Sequence, residues 1–181
     1  MSIELICGPM MSGKTSTLLT KLERAQIAKK KVILLRPSVD TRGFLSHRGV
    51  DLKGLKEVFV KDISMFDLTE YDDPDVIGID EGQFHKGLKE FCVRESLKGK
   101  QIYISALHAT SESEMFEQII DVLPYCENII KLNAICTNCG SEFGNYTFFR
   151  NGQKTEKVVV GGNQEYTALC EKCYFEELQK R

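Results

Sequence analysis

The chain has 181 residues, 42% hydrophobic and 28% charged, with 14 Gly, 4 Pro, 7 Cys, no Trp and a formal net charge of −2. That length suits one well-packed domain with a small appendage, and the ordinary apolar fraction and nearly balanced charges exclude a disordered chain. No run approaches the roughly 18 apolar residues of a membrane span, and the near-zero charge argues against wholesale nucleic-acid binding. The expectation is a soluble, cytoplasmic protein with neither membrane nor nucleic acid among its partners.

Over the first 132 residues short apolar runs alternate with longer amphipathic ones, which predicts an α/β domain with a parallel sheet flanked by helices. Strands are expected at Ile3–Cys7, Val32–Arg36, Val58–Val60, Val76–Asp80, Gln101–Leu107 and Ile129–Leu132. The first helix carries Leu18, Leu22 and Ala25 on one face and closes on Lys29, Lys30 and Lys31, favoured there by the helix dipole. The second carries Leu88, Phe91 and Cys92 and ends at Gly99. A third is expected from about Ser111, on the capping pattern Ser111-x-x-Glu114, to Leu123, with Pro124 as its stop. His85 is expected as a partly exposed helix-start residue. From Ala134 the texture changes to cysteine pairs, aromatics and glycines, so residues 1–133 are expected to form the nucleotide-binding α/β domain and 134–181 a small subdomain.

Directly after the first strand comes Gly8-Pro9-Met10-Met11-Ser12-Gly13-Lys14-Thr15, which fits G-x-x-x-x-G-K-[ST] at every fixed position. Glycines let backbone N–H groups turn inward around phosphate oxygens, the lysine supplies a charge to the β and γ phosphates, and the threonine hydroxyl reaches Mg²⁺. A nucleoside triphosphate of the ATP type is the expected ligand. The strand at 76–80 ends in Asp80-Glu81-Gly82-Gln83. Adjacent carboxylates leaving a buried strand fit a Mg²⁺ ligand, Asp80, beside a general base, Glu81; two solvated acids at a strand end are the alternative.

Cys136-x-x-Cys139 and Cys170-x-x-Cys173 supply four thiols, with 30 residues between the pairs. Two such knuckles suit tetrahedral Zn²⁺ without an open position, hence a structural site, with disulfides or an iron–sulfur cluster as rivals. Cys7, Cys92 and Cys126 read as core residues.

Together these residues resemble the zinc-containing thymidine kinases of animals, many bacteria and large DNA viruses. The resemblance spans nearly the whole chain and rests on GPMMSGKT, Asp40-Thr41-Arg42, IGIDEGQF at 77–84, KLNAICTNC at 131–139 and VVGGNQEYTALCEKCY at 159–174. It implies a P-loop-type fold, phosphorylation of the thymidine 5′-hydroxyl by ATP with Glu81 as base, and a lasso, held by structural zinc, that closes over the nucleoside. Gly8, Pro9, Met10, Met11, Ser12, Gly13, Lys14 and Thr15, with Asp40, Thr41, Arg42, Asp80 and Gln83, would lie on the ATP side, and Thr15 and Asp80 would serve Mg²⁺. Met10, Leu107, Phe116, Val159, Val160, Gly161 and Tyr166 would line the nucleoside site. The resemblance also implies a homotetramer or homodimer and feedback inhibition by thymidine triphosphate.

One segment departs from the family. Where its members usually read Asp-Gly-Thr-Phe-Gln-Arg after Ala-Leu, this chain reads His108-Ala109-Thr110-Ser111-Glu112-Ser113. A ring and a cation are lost, and Glu112 and Glu114 add negative charge. The departure leaves room for a related kinase with altered or weakened base specificity. A nucleotide-gated zinc-ribbon binding module is the reading from another class.

Overall fold

The computed structural model describes residues 2–38, 54–150 and 165–180. Six strands, β1 (Ser2–Gly8), β2 (Val32–Pro37), β3 (Lys56–Val60), β4 (Val76–Ile79), β5 (Gln101–Leu107) and β6 (Asn128–Lys131), form one sheet in the order β3-β2-β4-β5-β1-β6. Every pairing in it is parallel. Each expected strand is present, with ends moved by a residue or two.

Parallel neighbours need crossovers, and the crossovers cover both faces of the sheet. On one face α1 (Lys14–Ile27) lays Leu18, Leu19, Leu22 and Ala25 against Ile6, Leu34 and Val76. On the other, α2 (Leu88–Leu97) and α3 (Glu117–Val122) bring Leu88, Phe91, Cys92, Ile119 and Val122 onto Leu5, Cys7, Ile77, Ile79, Ile102 and Ile104. Alternation along each strand assigns the faces: Leu5 and Cys7 point one way and Ile6 the other. Gly78 lets α1 approach closely, since a Cβ there would stand 2.6 Å from Leu22 Cδ1. Edge strand β6 stays exposed along most of its length.

The third helix is shorter than its sequence suggests. Thr110 Oγ1 accepts from the N–H groups of Glu112 and Glu114, and Thr110 N–H donates to the Glu114 carbonyl at 2.8 Å. Ser113 sits at φ 63° and Ala109 bridges Met115, so residues 109–115 close a tight loop. A hydroxyl that captures nearby N–H groups competes with the helix for them. The expected capping box at Ser111-x-x-Glu114 is therefore not formed: Ser111 Oγ bonds Glu112, and the helix starts only after Phe116.

Beyond β6 the chain builds a second, smaller unit. β7 (Tyr146–Phe149) and β8 (Tyr166–Leu169) pair antiparallel, and α4 (Glu171–Gln179) packs on them through Cys173 and Tyr174. Tyr174 stacks on Tyr146 with ring centroids 4.6 Å apart. Among the described residues, no helix is long and apolar enough to cross a membrane.

Leu22 is fully buried beneath Gly78. Leu22→Ala is expected to lower unfolding free energy by about 3 kcal/mol in a urea titration, because the cavity adds to the lost transfer energy.

Candidate active site

The sheet register assembles the site. β4 and β5 pair Ile79 with Ile104, and β5 and β1 pair Leu107 with Gly8, so Asp80, Ser105, Leu107 and the loop after β1 meet at one edge of the sheet. That carboxyl edge is where open α/β sheets bind ligands.

The loop from Gly8 to Thr15 joins β1 to α1. Met11 and Gly13 both take left-handed φ values, 63° and 82°. A side chain on Gly8 would collide with the Leu132 carbonyl at 2.6 Å, so only glycine fits there. Ser12 Oγ and Lys14 Nζ both donate to the Pro9 carbonyl, at 2.9 and 2.6 Å. Helix α1 begins without a side-chain cap and without an acid in its first turn. Its N–H groups and positive dipole end are thus left for an anion of the phosphate kind.

Asp80 is 3% exposed at the end of β4. Thr15 Oγ1 donates to its Oδ1 at 3.1 Å, and Ser105 Oγ donates to the same oxygen. Burial and the neighbouring Glu81 push its carboxyl up to about 6, against the opposing pull of Ser105, Arg36 and Thr15. A buried carboxylate beside a threonine hydroxyl at the mouth of a phosphate loop fits a divalent cation, whose charge offsets the cost of ionising it.

The turn that follows is held from several sides. Glu81 takes φ 51°, Phe84 N–H donates to its carbonyl at 3.0 Å, and Gln83 Nε2 donates to its Oε2 at 2.6 Å. Gln83, expected among phosphate contacts, spends its other end on Leu107, whose N–H donates to Oε1 at 3.0 Å. His85 departs from its expected exposure: it is 2% exposed, and its Nε2–H donates to the Asp80 carbonyl at 3.2 Å. Burial drives its pKa down to about 4, so the ring is neutral at pH 7. The turn Gly82–Phe84 folds it back under the strand instead of letting it start a helix.

Among the described residues, Thr147 and Tyr174 tie the small unit to this edge through contacts the sequence does not show. Met10 N–H donates to Thr147 Oγ1 of β7 at 3.1 Å, so the phosphate loop touches the small sheet. Tyr174 of α4 donates to the Ser111 carbonyl at 2.8 Å and accepts from Ser113 Oγ at 3.2 Å. Of the expected nucleoside residues, Leu107 ends β5, and Phe116 packs partly buried against the core. Tyr166 lies buried in β8 with its ring 5.1 Å from Phe149. Asp40, Thr41, Arg42, Val159, Val160 and Gly161 lie outside the described residues.

The four cysteines converge as the spacing suggests. The sulfurs of Cys136, Cys139, Cys170 and Cys173 all lie within 4.8 Å of one another. Cys139 and Cys170 approach to 3.6 Å, close to the edge of a tetrahedron of thiolates around a metal and far beyond a covalent S–S bond of about 2.05 Å. Burial opposes ionisation of Cys136, but backbone N–H groups of Cys170, Cys139 and Asn138 outweigh it and bring its thiol down to about 6. The cluster can hold a metal such as zinc. Cys7 and Cys92 are buried and Cys126 half-buried, each raised by burial, as core thiols are.

The raised pKa of Asp80 has a signed consequence. Its ionised form costs stability, fully above a folded pKa of about 6 and not at all below the unfolded value of 3.8. Without added magnesium, Asp80→Asn is expected to raise the melting temperature at pH 7.5 and to raise it less at pH 5. His85 titrates in both proteins and cancels in the comparison. An equal gain at both pH values would contradict this.

Comparison with known proteins matches the sequence to a family. The sequence model described as Thymidine kinase matches residues 1–174. The thymidine kinase of vaccinia virus (strain Western Reserve) is 36% identical over 178 residues, covering 96% of this chain and 97% of that protein. Those of monkeypox virus (strain Zaire-96-I-16) and variola virus are 36% and 35% identical, with the same coverage. A family match of that extent, over a chain whose phosphate loop, acidic turn and cysteine cluster all stand in place, leads to one conclusion: the chain belongs to the thymidine kinase family.

Proposed function

We propose that the protein transfers the γ-phosphoryl group of ATP to the 5′-hydroxyl of thymidine, giving thymidine monophosphate and ADP. The observation that carries this reading is the convergence of the Gly8–Thr15 loop, Asp80 and Glu81 at one sheet edge. On this reading the loop's N–H groups and the α1 N-terminus hold the triphosphate, and Lys14 moves from the Pro9 carbonyl to the transferred group. Thr15 and Asp80 would hold Mg²⁺, which neutralises charge on the phosphates when bound. Asp40, Thr41 and Arg42 would contact the phosphate side.

Glu81 accepts the proton of the attacking 5′-hydroxyl. Phosphoryl transfer runs through a loose transition state, so orientation and charge neutralisation supply most of the rate and a carboxylate is base enough. Residues 134–181 would form the lasso over the nucleoside, with structural zinc on Cys136, Cys139, Cys170 and Cys173. Val159, Val160 and Gly161 would meet the base through backbone groups, with Met10, Leu107, Phe116 and Tyr166 around it. Homo-oligomers and inhibition by thymidine triphosphate follow the same family pattern.

Ser111 favours a second reading, in which nucleoside preference is shifted. Its carbonyl is held by Tyr174, and in sequence a short side chain stands at the position where the family usually carries a ring. A stacking ring is worth about 1 kcal/mol beyond its buried area. On this reading Ser111→Phe raises kcat/KM for thymidine about fivefold, and equal values would show that another residue, such as Met115, already fills the place.

The main reading is tested at Glu81. Glu81→Gln is expected to lower kcat for thymidine phosphorylation at least about a hundredfold, the usual scale for a lost general base, with the Kd for ATP within about threefold of wild type. Retained kcat would remove Glu81 from the chemistry. Zinc is tested separately: the purified protein should carry about one zinc per chain, and Cys136→Ser should lose it and melt at a lower temperature.

A further inference from the structure

Glutamate has three side-chain torsions, and a base must be held to a fraction of an ångström to work. The backbone of Glu81 is pinned by its left-handed φ of 51° and by the Phe84 N–H, but neither contact orients the carboxylate. Gln83 reaches the carboxylate itself. Its side chain is 3% exposed, and both ends of its carboxamide are engaged. The Leu107 N–H can only donate, so the amide oxygen must face it, at 3.0 Å. The amide nitrogen is thereby turned to Glu81 Oε2, which accepts at 2.6 Å.

Leu107 is the β5 residue paired with Gly8, the first residue of the phosphate loop. The carboxamide of Gln83 therefore measures the position of Glu81 from the strand beside the loop. We propose that Gln83 is a positioning residue, which sets the Glu81 carboxylate by bridging it to the Leu107 N–H and makes no contact with phosphate. The proposal rests on Glu81 being the base.

The experiment is a double-mutant cycle with thymidine and ATP. Gln83→Leu removes both hydrogen bonds at nearly constant volume and should lower kcat about tenfold to a hundredfold, with the Kd for ATP unchanged. In the Glu81→Gln background the same change should cost less than about twofold, because there is no carboxylate left to position. Gln83→Met removes the same two hydrogen bonds with an unbranched side chain and should also lose at least tenfold in kcat, while a wild-type circular dichroism spectrum at the assay temperature guards the fold. An undiminished loss in the Glu81→Gln background, or a Kd for ATP raised tenfold at constant kcat, would overturn the proposal and make Gln83 a structural or phosphate residue. Wild-type kcat in Glu81→Gln alone would show instead that the base assignment fails, and the proposal with it.

Discussion

A carboxylate 3% exposed is the constraint around which this molecule is arranged. Asp80 is reached by Thr15 from the first turn of α1 and by Ser105 from β5, so one side chain joins three elements. An unpaired buried charge is costly, and the hydroxyls only reduce the penalty. The register of β4, β5 and β1 fixes where these groups stand, and that register in turn depends on apolar strands covered on both faces. The same geometry that makes the site makes it expensive, which is common where stability and function compete.

The small unit answers a different problem. Among the described residues its apolar core is modest: Cys136, Phe148, Leu169, Cys173 and Tyr174 cluster, with Phe149, Tyr166 and Ala168 also buried in its two strands. A metal held by the four converging thiols would supply what packing does not, since metal binding is folding energy in a site of this kind. Tyr174 follows the last of these cysteines directly, and its hydroxyl reaches the Ser111–Ser113 loop. The helix that carries Cys173 is thus hydrogen-bonded to the Ser111–Ser113 loop, and β7 to the loop after β1 through Thr147.

Much of this was legible in the chain. Strand positions followed from apolar runs, and the loop at Gly8–Thr15 and the cysteine pairs followed from spacing, because in each case the chemistry is local in sequence. What failed was decided by contacts between distant residues, or by one hydroxyl. The helix expected from Ser111 lost to Thr110, whose Oγ1 takes the N–H groups a helix would need. His85, expected partly exposed at a helix start, is buried against the Asp80 carbonyl, since the turn at Gly82–Phe84 reverses its direction. Ser105 and Thr147 carry no motif, and Tyr174 only closes the run at 159–174; the strand register and the docking of the small sheet show what they touch.

On the proposed reading, the sheet edge that carries Gly8–Thr15, Asp80 and Glu81 moves the γ-phosphoryl group of ATP to a nucleoside. The most direct measurement follows the label from γ-³²P ATP in the presence of magnesium and each deoxynucleoside in turn. The account predicts label in thymidine 5′-monophosphate, with little released as inorganic phosphate when nucleoside is absent. Label appearing only in inorganic phosphate, or none transferred to any nucleoside, would contradict it.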